Sequence, residues 1–511
     1  MVDQTICIHI FRRDYRLEDN TTLIEACKTH DIVLPIFIFT KTQIDKKINT
    51  YRSDNCVQFL CESLKDLDIQ LQNISDNKKH KSSLTIFYAD DKHNEYSILD
   101  TLIKTISNVK TISFNMDYTY YSKIRDDKIK KLCDTNYIQC LSLDDICINP
   151  IGSVVTSSGK PYSKFTPYWK ESASREIRKI VSNKYKNYYN NNTHDNIRSS
   201  LKKLNKYILS IEDIMKPNSL IMGSINIQIP ERGGRENGLK ILHNMKKWDD
   251  YNDDRDMLSY KTTHLSPFNK FGCVSIREVY WTMLKKLGKD GEFGLIRQLF
   301  WRDFFYNISY CYPKEVYKES ALNPKYRNIK WHHNKTSMDK FNKWCKGETG
   351  YPIVDACMRE LNTTGYMHNR GRLITANFLC RLLHIDWKLG EKYFASKLYD
   401  YDPAQNNFGW QVSGANSSGT TSRPLSQTIM NPWLQSAKHD TDALYIKLWC
   451  PELKNVKASH LHKWYDYYKN YELGSGSSSS SNTTKVKYYP PIIDYTIEKE
   501  KNLKMYEKYL Q

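Results

Sequence analysis

The sequence predicts two domains, an N-terminal α/β domain with a doubly wound parallel sheet and an all-α C-terminal domain. Four short apolar runs rich in β-branched residues lie in the first 145 residues, at 5–11, 33–39, 84–89 and 111–116. From about residue 236 onward the apolar pattern is helical, with few strand signals. The 511-residue chain is also too long for one ordinary domain.

The four apolar runs are continuous rather than alternating, which is typical of parallel strands covered on both faces. Helical stretches such as 51–72 and 121–133 separate them. This βαβ order predicts a doubly wound sheet. No G-x-G-x-x-G follows the first run, so the sequence does not support an ordinary dinucleotide site.

The predicted domain boundaries follow changes in composition. Residues 1–145 form the α/β domain, 146–235 an irregular and polar linker, and 236–511 the helical domain. Within the linker, the tyrosine- and asparagine-rich stretch 184–196 predicts a mobile surface loop. A serine-rich stretch at 474–485 has the composition of a flexible linker.

The composition is that of a soluble globular protein, with 40% hydrophobic residues and a mean hydropathy of −0.66. We find neither an apolar run that could cross a membrane nor a signal peptide, and therefore expect an intracellular protein of cytoplasm or nucleus. The 13 cysteines are scattered without zinc spacing, which predicts no structural metal and no disulfide framework. An iron–sulfur cluster built from distant cysteines stays open.

The net charge of +19 indicates a polyanionic partner. Lysine, asparagine, isoleucine and tyrosine are all abundant, however. A strong A·T bias in the encoding genome would give the same mixture without a functional cause, so charge alone leaves the partner open.

Motifs spread over most of the chain carry a more specific signal. The run 347–410 contains GETGYPIVDACMRELNTTGYMHNRGRLITANF, IDW and DYDPAQNNFGW. FRRDYRLEDN lies at 11–20, THLSPF at 263–268, LFWRDFF at 299–305 and YPPIID at 489–494. Together they resemble the photolyase/cryptochrome family, most closely its class I members that repair cyclobutane pyrimidine dimers.

The resemblance implies a light-driven, monomeric flavoprotein that binds FAD and repairs UV-damaged DNA. It assigns FAD binding to residues 236–511 and often adds an antenna chromophore of folate, deazaflavin or flavin type in the N-terminal domain. Because YPPIID matches the last stretch of the catalytic domain, the serine-rich stretch is interpreted as a flexible insertion. The final helix should then dock back onto the core.

The family's cofactor contacts fall on a defined set of positions. Ser266 followed by Pro267 is a good helix start, with serine as N-cap, and such an N-terminus can hold a pyrophosphate. Arg372 and Asp400 are expected to pair across the flavin ring, and Asp402 to lie near the ribityl chain or ring edge. The full set is Tyr251, Thr262, Thr263, Leu265, Ser266, Arg372, Asp400, Asp402 and Asn406.

Asn406 matches the residue that faces the flavin N5 atom. Repair enzymes carry asparagine here, whereas plant signalling cryptochromes usually carry aspartate. A neutral amide both donates and accepts hydrogen bonds, so it supports a reduced anionic flavin without handing it a proton. The asparagine therefore favours repair over a photoreceptor without repair activity, which remains an alternative.

Three tryptophans match the chain that carries electrons from the surface to the flavin, namely Trp410, Trp387 and Trp331. Trp387 follows Ile–Asp and Trp410 closes NNFGW, as in the family. The spacing from Trp331 to Trp344 is longer than usual. A short insertion explains it, but Trp344 could also be taken for the third member.

The family's DNA contacts predict a lesion cavity. Trp301 would pack against the flipped lesion and compensate lost base stacking, and Asn431 lies in a stretch lining the same region. The predicted DNA-binding residues are Arg255, Gln298, Trp301, Arg302, Asn369, Arg370 and Gln435.

Five positions depart from the dimer-repair pattern or bear on the lesion type. Gln298, also a predicted catalytic residue, replaces the usual glutamate and is more typical of (6-4) photolyases. Those enzymes, however, need a catalytic histidine at Asn369 and a second one at Leu373, and asparagine cannot donate the proton. His368 is adjacent but points elsewhere on a helix. Val412 replaces a second cavity tryptophan. We therefore favour the cyclobutane dimer and keep the (6-4) photoproduct as an alternative.

Overall fold

The computed structural model describes residues 4–74, 81–192, 194–288, 294–313, 321–415, 425–473 and 485–510. Its N-terminal part is built on a six-stranded sheet of order β5-β4-β1-β2-β3-β6. The strands are β1 (Ile6–Ile10), β2 (Ile32–Thr40), β3 (Thr85–Ala89), β4 (Val109–Asn115), β5 (Gln139–Leu143) and β6 (Ile208–Leu209). The first five pair in parallel and only β6 is antiparallel. The doubly wound α/β prediction is confirmed.

The central strands are buried on both faces because helices cover the sheet. Every residue of β1 and β2 is buried, which explains why the sequence shows no alternation there. The helices of this part are α1 (Thr21–Thr29), α2 (Lys41–Ile44), α3 (Asp54–Ile74), α4 (Glu95–Thr105) and α5 (Tyr120–Thr135).

The segment expected to be a linker carries ordered elements. They are α6 (Phe165–Ala173), α7 (Asp195–Lys203), strand β6 and α8 (Ile211–Met215). The prediction of a mobile loop at 184–196 is wrong for its centre, because Tyr188 and Tyr189 are only 2% and 1% exposed. The backbone N–H of Tyr189 donates to the carbonyl of Val33 at 2.8 Å, which fixes this stretch against β2.

The rest of the described chain is helical, apart from the short strands β7 (Glu472–Leu473) and β8 (Lys485–Val486). Two π-helical turns, Phe378–Leu382 and Trp410–Gly414, interrupt the pattern. The helices are α9 (Arg235–His243), α10 (Tyr251–Asp254), α11 (Ser266–Phe271), α12 (Ile276–Leu287), α13 (Gly294–Cys311), α14 (Lys335–Lys346), α15 (Pro352–Thr364), α16 (Asn369–Asn377), α17 (Trp387–Lys397), α18 (Pro403–Gly409), α19 (Pro432–His439), α20 (Leu444–Trp449), α21 (Ala458–Leu461), α22 (Trp464–Tyr467) and α23 (Tyr495–Leu510). Among the described residues, no helix is both long and apolar enough to span a bilayer.

The loop after β1 joins the two halves of the molecule. Arg277 of α12 donates to Asp19 at 2.7 Å and to Asp145 at 2.7 Å, and Arg16 donates to the other oxygen of Asp145. Gly272 has φ +61°, and a Cβ there would lie 2.1 Å from the carbonyl oxygen of Arg13. Glycine is therefore required where α11 meets this loop.

The C-terminal helix α23 docks on the π-helical turn that follows α16. Arg381 Nε donates to Asn502 Oδ1 at 2.7 Å, and His384 Nε2 lies 2.8 Å from Glu498. The Tyr506 hydroxyl donates to the carbonyl of Ala415 at 2.7 Å. The predicted serine-rich insertion lies outside the described residues, except for Lys485.

Candidate functional site

A buried ionic cluster connects three segments of the helical half. Arg372 Nη2 donates to Asp400 Oδ2 at 2.9 Å, and the Ser266 hydroxyl donates to the same oxygen at 2.7 Å. The second oxygen, Oδ1, is buried and accepts no hydrogen bond among the described residues. A buried carboxylate oxygen of this kind needs a donor, so the cluster has room for a ligand that carries an N–H or O–H group.

The loop that enters α11 supplies hydroxyls beside this cluster. The Thr262 and Tyr366 hydroxyls lie 3.0 Å apart, and Thr263 Oγ1 accepts the backbone N–H of Leu265 at 3.4 Å. The prediction of Ser266 as N-cap is wrong: Leu265 is the cap and Ser266 the first helical residue. The serine hydroxyl is held by Asp400 instead, through a tertiary contact that local sequence does not reveal.

Asn406 lies on α18 beside an acidic residue that the sequence reasoning missed. Its amide Nδ2 donates to both the backbone oxygen and Oε1 of Glu391, each at 3.0 Å. Glu391 is 2% exposed on α17, one helical turn after Trp387. A glutamate four residues after a buried tryptophan faces the same side of the helix, and that spacing was the available signal.

Asp402 has a different environment from the one expected. Its Oδ1 caps α18 by accepting the backbone N–H of Ala404 at 3.0 Å, and its Oδ2 accepts from Arg13 and from the Tyr306 hydroxyl. Burial alone would raise the pKa of Asp402, but Arg13 and Tyr306 outweigh it and lower the pKa. This carboxylate is thus engaged at the domain interface, and its place near the ribityl chain or ring edge stays a prediction.

The three predicted electron-carrying tryptophans lie on adjoining elements. Trp410 begins a π-helical turn and packs so closely on α17 that a Cβ at Gly390 would lie 2.2 Å from its ring. Trp387 begins the same helix, and it shares a cavity wall with Trp331. Trp331 is half-buried, whereas Trp344 is fully buried with its ring 6.1 Å from that of Trp410. The geometry thus places Trp331, and not Trp344, at the surface.

Gln298 and Trp301 lie three residues apart on α13, and so on the same face. Trp301 stacks on Phe165 with centroids 3.6 Å apart and planes 8° apart, which leaves it half-exposed. Gln298 Nε2 donates to the carbonyl of Gly294 at 3.1 Å. One face of the Trp301 indole is therefore already covered by Phe165.

Arg302, a predicted DNA contact, is held by groups of the protein itself, and its contact with DNA stays a prediction. Its Nη1 donates to the carbonyl of Ile146 at 2.9 Å and to Asp303 at 3.1 Å, and its Nη2 donates to the carbonyl of Asn269 at 3.4 Å. Arg302 points into the domain interface because its neighbour Trp301 occupies the open side of α13, about 100° away.

The remaining predicted DNA contacts lie at exposed or half-buried positions. Asn369 is exposed at the first position of α16, and Arg370 donates to Asp256 at 2.6 Å. Arg255 lies over the ring of Tyr251, 5.9 Å from its centroid. Gln435 is half-buried on α19, which Asn431 caps.

Two titratable groups beside this surface have shifted pKa values. Burial and then Arg370 lower the pKa of His368 to about 4, and its Nδ1 accepts the backbone N–H of Arg370 at 3.1 Å. Burial raises the pKa of Glu360 to about 7, although the Tyr445 hydroxyl donates to it at 2.6 Å. His368 is therefore neutral near pH 7 and held as a helix cap.

A second, larger cavity of about 560 Å³ lies where the sheet domain meets the helical half. Aromatic walls come from Phe37 and from the stacked pair Tyr51 and Tyr401. Arg12 and Arg125 share the carboxylate of Asp126, at 2.7 and 3.0 Å, and each keeps a buried Nη2 without a partner in the described chain. Burial and then Arg125 lower the pKa of Arg12 to about 10, as excess positive charge would.

Comparison with known proteins shows which family the two parts of the chain resemble. The family model for DNA photolyase matches residues 7–183, and that for the FAD binding domain of DNA photolyase matches 295–508. A deoxyribodipyrimidine photo-lyase of Buchnera aphidicola subsp. Baizongia pistaciae is 32% identical over 97% of each chain. The chain therefore belongs to the photolyase/cryptochrome family.

Two solved structures share the architecture. An archaeal photolyase from Sulfolobus tokodaii with two FAD molecules is 32% identical, with a TM-score of 0.76 over 99% of this chain and 100% of that chain. A class III photolyase from Agrobacterium tumefaciens has a TM-score of 0.78 over 100% of this chain and 98% of that chain, but at 23% identity it supports the fold alone.

The chain has an FAD-binding domain, and its residues fit the cofactor. Asp400 Oδ1 is buried without a donor among the described residues, and Thr262 and Thr263 supply hydroxyls on the loop that leads to Ser266, which donates to the other oxygen of Asp400. Arg372 keeps 28% of its side chain exposed despite its ion pair, so its guanidinium remains accessible to the flavin.

Proposed function

We propose that this protein uses light to split cyclobutane pyrimidine dimers in DNA, as a class I photolyase does. The carrying observation is the amide at Asn406, held by Glu391 in a site whose key carboxylate, Asp400, lacks one partner. Bound, fully reduced FAD supplies the light absorption and the electron that splits the dimer. The chain's own residues bind, orient and shield the reacting groups.

Each part of the cluster has a distinct task in this proposal. The paired side chains of Arg372 and Asp400 would supply the ring system with a fixed positive charge and with a carboxylate oxygen that accepts a ring N–H. Asn406 presents an amide, which is too weak an acid to give up a proton at neutral pH. Glu391 fixes the orientation of that amide by accepting its N–H groups. Trp301 offers its free face to an extruded base, and Gln298 donates a hydrogen bond to a thymine carbonyl.

The geometry favours the cyclobutane dimer over the (6-4) photoproduct. Repair of the (6-4) lesion needs a proton donor, and the position of that donor is occupied here by Asn369. His368 does not substitute for it, because its pKa of about 4 leaves it neutral and its Nδ1 is engaged as a helix cap. DNA binding itself should weaken as salt rises, since Arg255 and Arg370 would meet phosphates.

Photorepair tests the proposal directly. Purified, reduced protein is illuminated with blue light in the presence of an oligonucleotide carrying a thymine cyclobutane dimer, and intact thymines are followed against a dark control. We expect light-dependent restoration. A Gln298→Glu variant serves as a matched control of similar volume and should repair at least as well, because a protonated acid is the stronger donor.

Failure of restoration with FAD bound and reducible would contradict the dimer assignment. The same assay with a (6-4) oligonucleotide would then separate the alternative photolyase from a photoreceptor without repair activity. Val412→Trp sharpens the result, because a second stacking wall should raise the repair yield; equal yields would show that Val412 does not limit repair.

We also propose that the 560 Å³ cavity holds a second chromophore with an acidic group. The support is chemical: the spare Nη2 atoms of Arg12 and Arg125 are buried donors that an anionic oxygen would satisfy. Phe37, Tyr51 and Tyr401 give the flat apolar surface that a conjugated ring needs. The two FAD molecules of the Sulfolobus tokodaii photolyase make a flavin one candidate.

Reconstitution distinguishes a flavin from other chromophores. FMN and FAD are added to protein that already holds one FAD, and bound flavin is counted after gel filtration. We expect a second equivalent, lost in Arg12→Gln/Arg125→Gln but kept in Lys28→Gln/Lys104→Gln, where the lysine side chains are 60% and 63% exposed. Failure of both flavins to bind would point to a folate or deazaflavin.

A further inference from the structure

The cavity that Trp331 and Trp387 line is separate from the 560 Å³ cavity and has a volume of about 300 Å³. It lies at the surface end of the three tryptophans. Trp331 and Trp387 both contribute to its wall, although Trp387 is only 2% exposed. A small molecule in this cavity would therefore lie beside both residues. The other wall residues come from the segment before α14 and from the first turn of α17.

The lining of this cavity is strongly cationic. Among the described residues that line it, Arg327, Lys330 and Lys388 are cationic, His333 is an imidazole, and Asp386 is the one carboxylate. Asp386 is also engaged as the N-cap of α17, where it accepts the backbone N–H of Lys388 at 3.1 Å. Within the described part of the chain, Lys330, His333 and Lys388 form no ion pair. Their charge is thus available to an incoming anion.

We propose that this cavity is a docking site for a small anionic one-electron reductant, such as ascorbate or a thiolate. The inference rests on the proposed electron route through Trp410, Trp387 and Trp331. When Trp331 passes an electron toward the flavin, a reductant from solvent must supply another electron to Trp331. A reductant held by Lys330 and Lys388 against the indole would replace it without waiting for a collision.

The step is balanced with the reductant as its only co-reactant. The Trp331 radical cation takes one electron and returns to the neutral indole. Ascorbate monoanion gives up that electron and releases one proton to water, which leaves the ascorbyl radical anion. The cationic lining favours this direction, because it raises the free energy of a radical cation at Trp331 and attracts the anion.

Two measurements on the FAD-loaded protein test the site. Equilibrium dialysis in the dark, under argon, measures binding of ascorbate. Laser flash photolysis measures the decay rate of the tryptophan radical as ascorbate or neutral hydroquinone is increased. We expect ascorbate to bind at one site and its decay rate to saturate, whereas hydroquinone gives a linear dependence.

Charge reversal at the cavity provides the matched comparison. Lys330→Glu/Lys388→Glu should raise the half-saturating ascorbate concentration at least tenfold and leave the hydroquinone rate unchanged. The acid at position 388 suits the first turn of a helix, so folding is preserved. Lys335→Glu/Lys340→Glu on α14 changes the net charge equally and lies outside the cavity lining, and it should shift ascorbate binding less than twofold.

A linear dependence on ascorbate, or equal shifts in the two double variants, would overturn the docking site. Trp331→Phe separates this outcome from failure of the electron route. If that variant leaves photoreduction of the bound flavin unchanged, the proposed route is overturned. Dark dialysis, which needs no light chemistry, then decides by itself whether the cavity binds the anion.

Discussion

The domain interface and the flavin cluster are both built on a buried aspartate held by arginine, but they differ in how completely that aspartate is satisfied. At the interface, Asp145 accepts from Arg277 at 2.7 Å and from Arg16 and Thr21, so both oxygens have partners. In the flavin cluster, Asp400 shares one oxygen between Arg372 and Ser266, and its other oxygen is buried without a hydrogen bond from any described residue. We call the network of Asp145 closed, and it indicates a structural role. We call the cluster of Asp400 open, and it indicates a binding site for a ligand.

The two aspartates also differ in the process that they stabilise, which is folding for Asp145 and ligand binding for Asp400. Burial alone would raise the pKa of Asp145, yet Arg16 and Arg277 hold it below its usual range. The carboxylate therefore contributes stability that is complete above the unfolded pKa of about 4 and is lost as pH falls through the folded pKa. An open cluster such as that of Asp400 instead gains its missing hydrogen bond only on binding.

The largest expected effect is that of Asp145→Asn. The substitution leaves the buried Arg16 without the carboxylate that it pairs with and leaves Arg277 with Asp19. Breaking a buried pair of this kind costs about 3–5 kcal/mol of the free energy of unfolding. Urea denaturation at pH 7 measures it. Asp91→Asn is the control, because the Asp91 side chain is 73% exposed in its pair with Lys41 and should change stability by less than about 0.5 kcal/mol. Similar losses in both variants would contradict a special role for the closed network.

How far the sequence predicts these regions depends on whether the cause is local. The four apolar runs matched β1 to β4 closely because each strand is buried along its own length. Strand β5 was not predicted, since most of QCLSL is only half-buried at one side of the sheet. Tyr188 and Tyr189 looked like part of a polar loop, because composition does not reveal that β2 holds that stretch.

The candidate site shows the same limit. Arg372, Asp400 and Ser266 were predicted as a group from the resemblance, and the structure brings them together. Glu391, the inward turn of Arg302 and the pairing of Asp402 with Arg13 were not predicted. For Glu391 only the spacing from Trp387 offered a signal. Arg302 and Asp402 depend on partners distant in sequence, 389 residues away in the case of Arg13 and Asp402, and neither helical periodicity nor a short motif contains that information.

A second prediction addresses the open cluster. Asp400→Asn keeps the size of the side chain but removes the charge that pairs with Arg372 and the buried acceptor. We expect FAD affinity to fall about 10- to 100-fold, equivalent to about 1.4–2.8 kcal/mol, while the stability of the FAD-free protein changes far less than in Asp145→Asn. Flavin fluorescence titration and urea denaturation measure the two quantities. A stability loss as large as that of Asp145→Asn, with affinity unchanged, would show that the cluster is structural.

The smallest expected effect concerns Glu360, a carboxyl of the helical half that accepts hydrogen bonds from the Tyr445 hydroxyl and from the backbone N–H of His368. Because burial raises its folded pKa to about 7, above the unfolded value of about 4.3, the folded state binds the proton more tightly. The group therefore favours folding below about pH 4.3, and this contribution declines as pH rises to 7. Glu360→Gln keeps an oxygen for the Tyr445 hydroxyl and removes the titration. The difference in unfolding free energy between variant and parent should thus change by on the order of 1–2 kcal/mol between pH 5 and 8, in favour of glutamine at the higher pH. A difference that stays constant over that range would mean that the carboxyl titrates alike in both states, and burial would then not govern its pKa.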